Sequence, residues 1–102
     1  SVDYPDYAKK LGNRIKLKKS DVGILVCGSG TGMAISANKI KTIRAAVCYN
    51  LRSTRLSRQH NNANIIALGA RLTKKKLSLK LVETFLKTKF EGGRHLRRVK
   101  KI

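Results

Sequence analysis

The chain has 102 residues, enough for one small domain and too few for a large core. Hydrophobic residues make up 41%, which argues against disorder, and no apolar run is long enough to cross a membrane. With 24 Lys and Arg against 5 Asp and Glu, the net charge is +19, a field that draws phosphates and polyanions.

The basic residues are spread over several segments, among them Lys9-Lys10, Lys16 to Lys19, Lys74 to Lys76 and Lys100-Lys101. With three Tyr, two Phe and no Trp, no base-stacking motif accompanies them, so most read as a solvated face. Nucleic acid is expected to bind non-specifically at most. Residues 5–18 are predicted as a helix, with Pro5 in its first turn and a stripe of Ala8, Leu11 and Ile15. Residues 22–27 form a continuously apolar run, as a parallel strand buried on both faces would. A helix over 33–41 follows, then a strand over 43–48, a helix over 51–60 and a strand over 64–68. The strongest helix spans 73–87, with Thr73 as N-cap and Leu77, Leu81, Val82, Phe85 and Leu86 on one face. A basic helix over 94–102, edged by Leu96, Val99 and Ile102, ends the chain.

Strand and helix alternate throughout, which predicts a single α/β domain over 1–102, a Rossmann-like parallel sheet with helices on both faces. Ligands of such sheets bind beyond the carboxyl ends of the strands. The site is therefore expected to gather Cys27 to Gly32, the segment after Cys48, and Gly69 to Arg71. Cys27-Gly28-Ser29-Gly30-Thr31-Gly32-Met33 is the most informative stretch: a strand end, a glycine loop and a helix start make an anion site with a thiol in it. No Gly-Lys-Ser/Thr follows, so it is not a P-loop, and neither spacing nor a later acidic residue suits a dinucleotide. Backbone amides there would favour negative charge, including a thiolate on Cys27. Cys48 reads as a small core residue. The cysteines have no metal-ligand spacing, so free thiols in a reducing, cytoplasmic compartment are expected and no metal site is.

Six segments together resemble type B ribose-5-phosphate isomerases: residues 1–8 (SVDYPDYA), 27–33 (CGSGTGM), 37–39 (ANK), 58–64 (RQHNNAN), 68–71 (LGAR) and 91–98 (EGGRHLRR). They occur in that family's order and cover essentially the whole chain. The resemblance implies an aldose–ketose isomerase of the pentose phosphate pathway that interconverts ribose 5-phosphate and ribulose 5-phosphate through an enediolate, with no metal and no organic cofactor. It implies that Cys27 moves the proton, that Ser29 shuttles protons at the sugar oxygens and that His60 opens the furanose ring. Tyr4, Gly28, Gly30, Thr31, Gly32, Met33 and Asn61 would bind substrate or the enediolate. Arg71, Arg94 and Arg98 would clamp the phosphate, and the two halves of the site would meet across a homodimer interface.

The resemblance also implies about forty preceding residues, a strand-helix-strand unit whose first strand carries an Asp-His pair with no counterpart here. The start at Ser1 is expected of a fragment or a processed chain. A chain of this extent is expected to expose a sheet edge, to be poorly stable, and to be weakly active or inactive. The alternatives carried are an isomerase of galactose 6-phosphate or allose 6-phosphate, and a catalytically dead basic fragment that binds polyanions.

Overall fold

The computed structural model describes residues 3–17 and 21–102. Its elements alternate: α1 (Tyr4–Leu17), β1 (Gly23–Cys27), α2 (Thr31–Ala37), β2 (Ala45–Val47), α3 (Leu51–Gln59), β3 (Ile65–Gly69), α4 (Lys75–Lys87) and α5 (Arg94–Val99). Among the described residues the sheet has three parallel strands in the order β1-β3-β2. Gly23 to Cys27 register with Ile65 to Gly69, and Ala45 to Val47 with Ile65 to Ala67. The expected α/β architecture is therefore present. Lys18 and residues 1, 2 and 19 of the sequence motifs lie outside the described residues.

Two cores flank the sheet. On one face, Ala8 and Ile15 of α1 and Met33, Ala34 and Ala37 of α2 pack on Leu25, Ile65 and Ala67. On the other, Leu81 and Phe85 of α4 pack on Ile66, Leu68 and Cys48. β3 is buried at every residue because it lies between two strands and two helix layers. Alternate side chains of a strand project to opposite faces, which divides β3 between the two cores.

Several expectations need correction. β1 is not buried on both faces: among the described residues it is an edge strand, and Ile24 and Val26 are 43% and 53% exposed, because α4 sits over β3 and leaves that part of the face bare. α2 starts at Thr31 rather than 33 and ends at Ala37 rather than 41. The early start follows from Gly30, whose left-handed backbone (φ 82°) turns the chain into the helix. The early end follows from Asn38, whose side-chain amide accepts from Ala45 N–H at 2.7 Å and donates to Ala45 C=O at 3.0 Å. That amide stands in for a strand partner on the outer edge of β2. β2 is shorter than 43–48, because Arg44 N–H donates to the Asn64 side chain rather than joining the ladder. Thr73 is not the cap of α4. The carbonyl of Gly69 accepts from Leu72 and Thr73, and this turn buries Thr73 while the helix starts after Lys74. Leu86 is 57% exposed, outside the stripe of Leu77, Leu81, Val82 and Phe85. The last helix stops at Val99, and Leu96 and Ile102 are exposed.

Candidate active site

At the carboxyl end of the sheet, the Cys27–Met33 loop is strapped to the turn that follows β3. Cys27 C=O accepts from Ala70 N–H at 2.8 Å, and Gly28 C=O from Arg71 N–H at 3.0 Å. The approach is so close that a methyl group on Gly69 would lie 2.7 Å from the Ser29 carbonyl oxygen. Only glycine fits there. The Cys27 thiol is half-buried and unpaired, and its Sγ accepts from Gly30 N–H at 3.1 Å. Thr31 N–H donates to Ser29 Oγ at 3.3 Å. The amides of Gly32 and Met33 lie in the first turn of α2, where no acceptor within the helix is available to them. They remain free to meet a negatively charged oxygen.

Three side chains wall this loop. The Tyr4 ring, at the start of α1, lies against Gly32, where a methyl group would come within 2.5 Å of it. The Arg71 guanidinium lies over Gly28, 3.2 Å from where a side chain would begin. Tyr49 O–H donates to the Ser29 carbonyl at 3.3 Å. Tyr49 was missed as an individual residue; it falls in the segment after Cys48, and that position beyond a strand end was the signal for it. Met33 contributes its amide alone, because its side chain is buried in the core with Leu25 and Ile65. Cys48 is buried, and burial pushes its thiol up from the ordinary range, so it stays a protonated core residue.

The remaining candidates lie at the opposite end of the sheet. α3 begins just beyond the carboxyl end of β2 and runs back toward the start of β3, so His60 is about a strand's length, roughly 13 Å or more, from Cys27. There the His60 and His95 rings stack with centroids 4.2 Å apart and planes within 11°. The Glu91 carboxylate lies 3.6 Å from His95 Nε2 and 4.0 Å from His60 Nε2. Burial lowers the His95 pKa from its ordinary value, and His60, Arg94 and Arg98 lower it further against the opposing pull of Glu91. Arg94 and Arg98 share one face of α5, four residues apart, and both are exposed. Asn61 lines a hollow beside β2 with Asn38, Arg44 and Ile102.

Arg58 holds this end together. Its guanidinium donates to the carbonyls of Thr88 (3.1 Å) and Ala63 and lies 5.3 Å from the centre of the Phe85 ring. Glu91 N–H then donates to Gln59 C=O at 3.1 Å. Within one chain the structure thus brings Tyr4, Cys27, Gly28, Ser29, Gly30, Thr31, Gly32 and Arg71 together. It gathers His60, Arg94 and Arg98 elsewhere, and Arg71 is apart from the other two arginines. Glu91 and His95 were missed as partners of His60, although their four-residue spacing was visible.

A parallel α/β sheet with a thiol and free helix-start amides at its carboxyl end, on a strongly basic chain, has the make-up of a site for a small anionic ligand. A family profile described as Ribose/Galactose Isomerase matches residues 1–102, and the chain belongs to that family. It is 49% identical over 102 residues to a putative sugar phosphate isomerase of Rickettsia bellii, covering all of this chain and 71% of that one. A ribose 5-phosphate isomerase of Thermotoga maritima superposes with a TM-score of 0.96 at 53% identity, covering 99% of this chain and 70% of that one. The type B enzyme of Mycoplasma genitalium, solved with bound ribulose-5-phosphate, superposes with a TM-score of 0.96 at 42% identity, covering 99% of this chain and 67% of that one.

Proposed function

We propose that this chain catalyses the interconversion of ribose 5-phosphate and ribulose 5-phosphate. The observation that carries the reading is the strapped loop, where an unpaired thiol shares one surface with the free amides of Gly32 and Met33. Membership of the family and the likeness to a ribulose-5-phosphate complex support it. In the proposed reaction Cys27, as thiolate, takes the proton from C2 of the open-chain aldose and returns it to C1. The enediolate formed between these steps carries its charge on an oxygen that the loop amides can meet. Ser29 Oγ moves the hydroxyl proton between O1 and O2. His60 opens the furanose ring, Asn61 holds sugar hydroxyls, and the guanidiniums of Arg71, Arg94 and Arg98 bind phosphate.

These roles cannot all be played within one chain, since His60 and Cys27 occupy opposite ends of the sheet. We infer a homodimer in which the His60 end of one copy faces the Cys27 end of the other. Exposed Tyr4 and Arg71 on one side and Arg94 and Arg98 on the other are free to meet across such an interface. A cytoplasmic setting suits the two free cysteines.

Replacing Cys27 with Ala tests the reading. Isomerisation followed by NMR should fall by about 10²- to 10⁴-fold, the usual worth of a positioned base. Far-UV circular dichroism and salt-dependent retention on heparin should not change. Full activity in Cys27→Ala would remove the thiol from the mechanism.

A further inference from the structure

The ring-opening role uses only His60 of the cluster it belongs to, and leaves Glu91 and His95 without a task. We propose that His60, Glu91 and His95 form a binding site for a divalent transition-metal ion of the zinc class. Two imidazoles and one carboxylate make a donor set that zinc takes in open sites, with a fourth position left for water. The three ligand atoms lie within 4.8 Å of one another, and the two separations from Glu91 are 3.6 and 4.0 Å. A tetrahedral ion with bonds of about 2.0–2.1 Å places its donors about 3.4 Å apart. The donors therefore need to close by a fraction of an ångström to little more than one.

The backbone is arranged for that closure. Arg58 bonds the Thr88 carbonyl, and Glu91 N–H bonds Gln59 C=O, so the loop bearing Glu91 is tied to the end of the helix bearing His60. His95 N–H bonds Gly92 C=O at 3.0 Å, which holds the third donor on the same turn. The His95 side chain is 12% exposed, while those of His60 and Glu91 are 39% and 51% exposed, so the cluster has a floor and an open side. The parallel stack is the feature that must yield. An imidazole binds a metal in its ring plane, so one ring must turn to bring both lone pairs to one point. His60, just past the last turn of α3 and more exposed, is the ring placed to turn. Arg94 and Arg98 act against any cation, so binding should be weaker than in structural zinc sites. Nitrogen donors select against the oxygen-seeking magnesium and calcium.

A cobalt(II) titration of the protein, read in the visible spectrum, tests the site. The expected result is the d–d absorption of a four-coordinate nitrogen and oxygen site, without the near-ultraviolet charge-transfer band of a thiolate ligand. Zinc(II) should displace the cobalt, and excess magnesium should not. His95→Ala and Glu91→Gln should each weaken cobalt binding by about tenfold or more, given that even outer-shell changes cost that much. Absence of the bands, a thiolate band reporting Cys27, or unchanged affinity in both variants would overturn the site. Occupancy would also take the His60 nitrogen that the ring-opening role uses, a consequence that rests on the proposed isomerase reading. Reversible inhibition by zinc, relieved by a chelator, is then expected. Metal binding that passes the spectral and variant tests without inhibition would keep the site and remove His60 from ring opening.

Discussion

The two ends of the sheet are built by different means. At the carboxyl end the candidate site is mostly backbone: a glycine loop pressed against a glycine turn, with amides left free and one thiol among them. At the amino end it is mostly side chains: two stacked imidazoles, a carboxylate and two arginines, held by the guanidinium of Arg58. The first end is set by what cannot fit, and so it should be rigid. The second is set by hydrogen bonds between exposed segments, and so it can adapt to a ligand or to a second copy. On the proposed reading, a rigid surface of amides paired with an adaptable surface of side chains suits a substrate that must first be opened and then held.

The largest effect should come from separating the ends genetically. Cys27→Ala and His60→Ala proteins should each be inactive, yet mixing them under conditions that exchange subunits should restore about a quarter of the wild-type rate. Half of the dimers would be mixed, and each would hold one intact site of two. No recovery on mixing would mean that both residues serve one site within a single chain. Next in size are changes to what holds each end. Gly69→Ala forces a methyl group against the Ser29 backbone and should cost about 1–3 kcal/mol. The melting temperature should fall by about 4–8 °C per kcal/mol. Gly92→Ala meets nothing within 4 Å and carries only the strain of φ 69°, about 1 kcal/mol. Equal losses at the two glycines would deny that the carboxyl end is sterically set.

At the other end, Arg58→Met keeps the apolar stem but leaves the carbonyls of Thr88 and Ala63 without their donor. A loss of about 1–3 kcal/mol is expected. Amide exchange should speed up in the 88–91 loop and not in the Cys27 loop. The smallest effect concerns pH. The folded chain holds His95 below its ordinary pKa of 6.5, so the unfolded chain binds the proton more readily. Stability should therefore fall as pH drops through about 6.5 and level off below the folded value. His95→Gln should flatten that slope in chemical denaturation with a chelator present. An unchanged slope would assign the pH dependence to other groups.

Much of the carboxyl-end loop was legible because its signals are local. A strand ending in Cys27, three glycines at alternate positions and a following helix lie within one continuous segment. The strand and helix types were legible for the same reason, since alternation and periodicity are properties of neighbours. What escaped were properties that need a distant partner. An exposed sheet edge was expected from the resemblance, but that it falls on β1 and leaves Ile24 and Val26 exposed depends on strand order and on where α4 packs. Thr73 looks like a cap, yet the Gly69 turn draws it inside. Met33 belongs to a site motif, but its side chain faces the α1 core. Glu91 and His95 join His60 only because Arg58 ties two segments thirty residues apart.

The amino-acid sequence by itself determined the α/β class, the glycine loop with its thiol, and the family, because each is carried by residues close together or by motifs in a given order. Only the tertiary structure decided that β3 is the central strand among the described residues, and that His60 faces Glu91 and His95 at the other end of the sheet, with Arg94 and Arg98 apart from Arg71. Those facts follow from the direction in which α3 returns along the strands and from where two helix layers leave room. Such geometry comes from packing across the whole chain, and no local pattern of residues encodes it.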